Sequence, residues 1–545
     1  MNIPSIPVLY GTESGNAEYC AERLARSLKS RGLDARSIDM DEFDPVWVER
    51  LSFVAFVTST YGNGDPPSNA RRMLAFLQRD ELRLPKLRFA VCGLGDETFH
   101  HFAKCGQDFE SALIRAGASP LTQRVDCDVD FDDAFEGFER ATVSAVERYM
   151  ARSNASRSPP SDTTAPRGHS EHLSSPPRLF EATLLHKRKL SGLGSNKWTM
   201  HYEFDVSHAP TPYQVGDCFA VHPTNCPKLV ETMLSVMQQD AATSVTWRGE
   251  TRALSDVLSR SCLAHVETDL LRSVTKLHRG AERPAGVALQ DGPDAVRRYR
   301  EERDVLDVLR DNAPQGISGD AVVPYLRRLA PRLYSVASSP AKSPKTVSLV
   351  VETLRYQRRG RVIQGVASNF LAHRVERGGR VDMHLVPNPA FRFDDSDRPL
   401  IMVGPGTGIA PFRAYLEDIE QLRTSQQARL TWLFFGHQRF STDFLYQEDI
   451  MRWHESGVLS RLDLAWSRMQ SKKIYVQHRL LERGSAVWSW LQRGAQIYVC
   501  GDGLGMEPGV AEALRTIACR HGQISDPQTW FERLVECGDY KADAY

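Results

Sequence analysis

Residues 152 to 177, RSNASRSPPSDTTAPRGHSEHLSSPP, divide the chain: they are rich in Ser and Pro and carry almost no large apolar side chain, as a mobile linker does. At 545 residues the chain also exceeds what one core supports, and about three or four domains are expected. Before the break, apolar runs at 6–10, 52–58 and 87–94 read as buried strands, and helix-type spacing occupies 17–31, 69–79, 102–116 and 131–150. That alternation predicts a doubly wound parallel sheet over residues 1–151. After the break, strand-like segments at 198–206, 215–221, 331–337 and 346–354 flank a charged helical stretch from about 227 to 330. An antiparallel β-barrel with a helical insert is therefore expected over 178–395. From 396 to 545 strand, turn and helix alternate again, predicting a second parallel α/β domain.

Composition narrows the class. Hydrophobic residues make up 41% and charged residues 25%, ordinary values that exclude disordered, collagen-like and disulfide-scaffold chains. The start, MNIPSIPVLYGTESG, is no basic-then-apolar leader, and no run of about 18 apolar residues occurs, so a cytoplasmic protein without a membrane anchor is expected. Net charge is zero, but residues 1–150 hold 17 Lys+Arg against 24 Asp+Glu, net −7, which leaves +7 for the rest. Opposed fields favour docking of the two parts, unless they are two ordinary solvated surfaces; no strongly basic domain points to nucleic acid. None of the ten cysteines forms a C-x-x-C pair, so a metal centre is expected on another protein.

Three loops in the first unit carry chemistry. Thr12, Glu13, Ser14, Gly15 and Asn16 join a strand to a helix with short hydroxyls and free amides, which suits a phosphate monoester. The Lys and the Gly-Lys-Ser/Thr ending of a nucleoside-triphosphate loop are missing. Ser59, Thr60, Tyr61, Gly62, Asn63 and Gly64, and then Gly95, Asp96 and Phe99, follow two further strands, so all three loops gather at the carboxyl edge of one sheet. Glycines admit a flat ring and Tyr61 and Phe99 can sandwich it, which together describe an FMN site.

In the middle unit Arg332, Leu333, Tyr334 and Ser335 sit on a strand, and Gly365, Val366, Ala367 and Ser368 open a helix whose N-terminus can take a pyrophosphate that Arg332 neutralises. In the last unit a strand leads into a turn containing Gly406, Thr407 and Gly408, a cradle for a dinucleotide. The next strand ends in Gly436-His437, without the acid that holds an NAD ribose. Ser467, Arg468 and Lys473 instead present a hydroxyl and two cations to a 2′-phosphate, with Tyr475 and Gln477 beside them, so NADPH is expected over NADH. Cys500, Gly501 and Asp502 close a further strand, and the chain ends DYKADAY.

In order and spacing, TYGNGDPP, GLGDETF, RLYS, GVASNF and GPGTGIAP resemble the diflavin reductase family over nearly the whole chain. The resemblance implies a flavodoxin-like FMN domain joined to a ferredoxin-reductase-like FAD and NADPH module, with electrons running from NADPH to FAD to FMN to a metalloprotein. It also implies that Tyr334 stacks on the FAD ring with Ser335 near N5, and that Ser335, Cys500 and Asp543 line the hydride site. Tyr545 would then shield the flavin. Residues 124–131, with Asp126 in the flavin-contacting set, the TWLFFG to DFLYQ stretch and LDLAWSR are most similar to the flavoprotein branch that serves assimilatory sulfite reductases. That branch implies a sirohaem and iron–sulfur haemoprotein acceptor; another haemoprotein acceptor, or a flavin-binding assembly protein with vestigial catalysis, are the alternatives. Phe99 stands where many relatives carry Tyr, and the family's longer N-terminal extension is missing.

Overall fold

Strand order explains where ligands can bind, and a computed structural model describes residues 6–13, 15–61, 64–97, 101–129, 131–154, 179–277, 282–394, 396–422 and 429–544. In the first unit the strands run Ala35–Asp39, Ile6–Gly11, Phe53–Ser59, Arg88–Leu94, Ser119–Pro120, with Val125–Cys127 also paired to Arg88–Leu94. Every pairing is parallel. Alternate residues feed opposite layers. Val8, Ala55, Val57, Ala90 and Cys92 pack under the helices Asn16–Ser30 and Asp132–Asn154, while Leu9, Val54, Phe56, Phe89 and Val91 pack against Arg71–Leu77 and Lys104–Arg115. Both faces are buried, which is why these strands read as continuous apolar runs. The order reverses between Ile6–Gly11 and Phe53–Ser59, and ligands bind at such a switch point.

The middle unit holds a six-stranded antiparallel sheet in the order Arg332–Ser335, Cys218–Val221, Arg380–Val386, Phe180–Lys189, Thr199–Asp205, Thr346–Glu352. It curls around Phe180, Tyr202, Phe204, Phe219, Leu349 and Met383. Its outer strands approach each other at one antiparallel bridge, Val336 to Leu349. Among the described residues between Pro227 and Tyr325 lie seven α-helices with a core of their own, and a hairpin, Ser244–Trp247 with Glu250–Ala253, interrupts them. The last unit is a parallel sheet ordered Arg461–Trp466, Thr431–His437, Leu400–Val403, Gln496–Gly501, Tyr540–Ala544. None of its described helices, nor any other described helix, is long and apolar enough to cross a membrane.

The acidic first unit meets arginines of the insert. Arg248 donates to Glu18 and Glu22, Arg300 pairs with Asp132, and Arg327 donates to Asn16 Oδ1 at 3.1 Å. Arg327 also lies over the rings of Tyr19 and Phe131, 4.5 and 4.8 Å from their centres. Asp132, His265 and Glu267 cluster there, but Arg300 and Arg327 already neutralise the two carboxylates, so the cluster is an ion-pair network across the interface. The unequal charges of the two halves thus act as complementary surfaces.

Candidate active site

At the first switch point the helix Asn16–Ser30 starts from Gly15, which has φ 84° and no side-chain cap, so its first-turn amides face the loop. A left-handed φ favours glycine, and an ideal Cβ there would meet Glu18 Oε2 at 3.9 Å and the Ala330 methyl at 4.0 Å, ordinary contact distances. Thr12 Oγ1 accepts from Gly15 N at 2.9 Å, and Thr12 N donates to Asn69 Oδ1 at 2.8 Å. Asn69, buried and also bonded to Asp39, thereby pins this loop; its remoteness in sequence hid that role. Glu13 turns away from the loop's amides and accepts from Ser68 N at 2.6 Å, and burial raises its carboxyl above the usual range. Asn16 faces Arg327.

Around the ring position, Thr60 Oγ1 accepts from Cys105 N at 3.1 Å, and Ser59 Oγ donates to Gly11 O at 3.4 Å. Tyr61 bridges Asp65 in antiparallel fashion, with Gly64 at φ 106° making the turn. Gly95 and Asp96 lead out of Arg88–Leu94, with Gly95 N bonded to Cys127 O at 2.9 Å, and Arg124 holds Asp126 in a two-pronged ion pair at 2.9 and 3.0 Å. Ser14, Gly62, Asn63, Phe99 and Tyr545, also assigned to the sites, lie outside the described residues. The uncapped helix start, the left-handed Gly15 turn and the aromatic Tyr61 fit an FMN.

On the middle sheet, Arg332 is exposed and its guanidinium forms no ion pair among the described residues, as a pyrophosphate anchor requires. Leu333 packs outward beside Cys218, while Tyr334 lies against the core inside the sheet, where burial raises its phenol. The helix Val366–His373 starts at Gly365, again without a side-chain cap. Ser368 Oγ accepts Leu354 N at 3.1 Å, so this hydroxyl holds the neighbouring hairpin; Val366 and Ala367 supply the helix start. Asn369, not foreseen, ties the same helix to Leu354 O at 2.9 Å. The free arginine and uncapped helix fit an FAD.

Ser335, Cys500 and Asp543, far apart in sequence, come together. Parallel pairing of Gln496–Gly501 with Tyr540–Ala544 sets Cys500 opposite Asp543. Ser335 Oγ donates to Asp543 Oδ2 at 2.8 Å and Cys500 Sγ to the same oxygen at 3.8 Å. Burial raises the Asp543 carboxyl, and the two donors oppose that rise. The glycine turn closes this pocket: an ideal Cβ on Gly408 would sit 2.0 Å from Cys500 O, so only glycine fits. Gly406, at φ 58°, faces open space, and Thr407 follows it in the same turn.

Beside that turn, Ser467 Oγ donates to His437 O at 3.2 Å, while Arg468, Lys473 and Tyr475 are exposed. Gln477 Oε1 and His437 Nε2 are buried without a hydrogen-bond partner, an unmet demand that a polar ligand would satisfy. Asp502 also serves the backbone: its carboxylate accepts from Leu504, Gly505 and Met506 N–H at 3.3, 2.9 and 3.1 Å at the start of the following helix. Exposed cations beside orphaned polar atoms fit the 2′-phosphate end of NADPH.

Comparison with known proteins agrees with this order of sites. The flavodoxin family matches residues 8–140, the FAD binding domain family 174–258 and the oxidoreductase NAD-binding domain family 402–512. The NADPH sulfite reductase flavoprotein alpha-component of Bacillus subtilis is 34% identical over 99% of this chain and 89% of its own length. That of Vibrio cholerae is 34% identical over 99% and 87%, and that of Mannheimia succiniciproducens 35% over 99% and 90%. The chain belongs to this family of diflavin reductases, an NADPH-dependent flavoprotein oxidoreductase with FMN, FAD and NADP-binding domains.

Proposed function

We propose that this protein delivers electrons from NADPH, through FAD and then FMN, to the sirohaem and iron–sulfur haemoprotein subunit of a sulfite reductase in the cytoplasm. The full-length likeness to flavoproteins named for that enzyme supports the acceptor. All ten cysteines are free, which supports a reducing compartment. Boundaries at 1–151 for the FMN unit, 152–177 for the linker, 178–395 for the FAD unit with its insert at about 227–330 and 396–545 for the NADPH unit are supported by the three sheets, which fall inside them, with the helix Asp132–Asn154 running three residues past the first boundary.

The meeting of Ser335, Cys500 and Asp543 carries the catalytic reading. The flavins supply what no side chain can, taking two electrons together and releasing them singly. Nicotinamide becomes cationic as its hydride leaves, and a buried carboxylate at Asp543 stabilises that charge where it develops. Ser335 and Cys500 donate to Asp543 and hold its orientation. Arg332 and the amides ahead of Val366 anchor one phosphate-bearing ligand, those ahead of Asn16 another, and Arg468 and Lys473 hold the 2′-phosphate. Tyr61, Tyr334 and, at the chain end, Tyr545 offer rings for stacking. The test has two arms: the purified full chain should reduce cytochrome c with NADPH, and a sirohaem protein should co-purify with it from its native host. Failure of the first arm removes the electron-transfer reading of these residues; a different haemoprotein in the second replaces the acceptor.

A further inference from the structure

Arg327 belongs to the segment that leads into the FAD unit's strand Arg332–Ser335, yet it reaches the turn read as the FMN phosphate site. Its backbone is fixed from outside: Cys262 N donates to Arg327 O at 2.9 Å, Leu329 N to Arg260 O at 2.7 Å, and Ser261 bridges Arg328 in antiparallel fashion. Its side chain is only 9% exposed, with Tyr19 and Phe131 against the guanidinium. All three nitrogens are engaged: Nε donates to Glu267, one terminal nitrogen to His265 Nε2 at 2.7 Å and the other to Asn16 Oδ1 at 3.1 Å. Such a guanidinium cannot swivel. Three residues further on, the Ala330 methyl lies 4.0 Å from where a Cβ on Gly15 would stand, so two successive residues of the turn, Gly15 and Asn16, meet the other unit.

The chemistry of that contact is one-sided. A guanidinium only donates, so the Asn16 carboxamide has to turn its oxygen to Arg327, and the group it can present on its other side is NH2, a donor without an acceptor. Asn16 is the first residue of the helix Asn16–Ser30, at the end where free amides favour an anion. An asparagine without this restraint could equally turn its oxygen toward a phosphate, which repels it.

We propose that Arg327 is a positioning residue for the FMN phosphate, supplied to the FMN site by the opposite unit: by taking Asn16 Oδ1 it leaves Asn16 Nδ2 as a donor to the phosphate. Glu267, whose side chain is 2% exposed, neutralises the guanidinium, so Arg327 acts through the orientation of Asn16 rather than through added charge. Docking of the two units and binding of FMN then favour each other by the same factor. This rests on the reading of the turn from Thr12 to Asn16 as an FMN site.

Riboflavin, which has the ring system of FMN but no phosphate, separates this role from a merely structural one. The FMN-free full-length protein, with its FAD retained, is titrated with each flavin and binding is read from quenching of flavin fluorescence. Arg327→Met made together with Glu267→Gln, so that no buried carboxylate is stranded, should weaken FMN about threefold to tenfold, the worth of one net hydrogen bond, and leave riboflavin unchanged. Equal losses with both flavins, or no loss with either, overturn the proposal. Asn16→Ala, which leaves the Arg327–Glu267 pair intact, should lose the same preference for FMN, and adding the Arg327 and Glu267 changes to it should cost nothing more. A further loss in the combined variant would overturn action through Asn16. Wild-type protein that binds neither flavin removes the FMN reading itself, whereas a wild-type preference for FMN that survives the Arg327 change removes this inference alone.

Discussion

Removing the Arg248 guanidinium should release the first unit from the insert. Arg248 donates to Glu18 and Glu22, and the side chains of the three are 26, 11 and 32% exposed. A hydrogen bond to a charged group is worth about 1.5–3 kcal/mol when buried, but screening at this exposure reduces each contact to about 1 kcal/mol. Two such contacts, about 2 kcal/mol, correspond to a roughly thirtyfold change in the ratio of docked to undocked protein. Part of this interface is open: between the helices Asn16–Ser30 and Asp132–Asn154 and the insert helix Thr268–Leu277 there is a polar cleft of about 750 Å³, lined by Arg23, Arg26, Glu139, Asp269 and Arg272 among others. Arg248→Ala should therefore raise the radius of gyration seen by small-angle X-ray scattering, Arg248→Glu should raise it further, and the wild type should approach both as salt is added. Glu18→Arg combined with Arg248→Glu should draw it back. A radius of gyration in Arg248→Glu that matches the wild type at every salt concentration would refute the idea that these charges hold the units together.

Four further outcomes are expected. Arg468→Ala and Lys473→Ala should each raise the KM for NADPH about tenfold to a hundredfold while leaving NADH kinetics unchanged, since each charge-assisted phosphate contact contributes about 1.5–3 kcal/mol; equal losses with both coenzymes would assign the residues to folding instead. Gly408→Ala places a methyl against Cys500 O and should destabilise the last unit by about 1–3 kcal/mol, read as a lower denaturant midpoint, with slower NADPH-driven flavin reduction. Asn69→Ala frees the Thr12 amide and should lower the FMN content of the purified protein without changing its FAD content, as flavin release and chromatography would show. Burial raises the Asp543 carboxyl, so the folded chain resists its ionisation. Wild-type stability should then fall, relative to Asp543→Asn, as pH rises from the unfolded carboxyl value of about 3.9 towards the folded one. Melting temperatures of the pair across that range should diverge, and a constant gap would show that the charge is not the cause.

The strand, glycine turn and helix-start arrangements were legible in the sequence because each is local: a buried strand, a glycine-bearing loop and a helix start lie within about ten residues, and their backbone amides are presented whatever the side chains are. The two parallel sheets were legible for a related reason, since strands covered on both faces leave unbroken apolar runs. Phe180–Lys189 and Arg380–Val386 were not, because each shows only one face to the core and carries Lys, Arg, Glu or Asp on the other. Polar residues beside the turns carry a structural duty that the sequence did not announce. Asp502 and Ser368, read as ligand contacts, accept backbone N–H groups, and so does Glu13; short polar side chains next to a helix start compete for its amides as readily as a cofactor does. Ser335, Cys500 and Asp543 could be joined beforehand only through family resemblance, since the pairing of Cys500 with Asp543 is decided by the register of two strands. Cys218, Asn69 and Arg327 were beyond even that, because nothing in their own neighbourhoods announces a partner: each acts on a residue that a different part of the chain delivers. The distinction is physical. A helix-start geometry is written in contiguous sequence, whereas the hydrogen bonds that align one unit with another exist only once the sheets have been stacked.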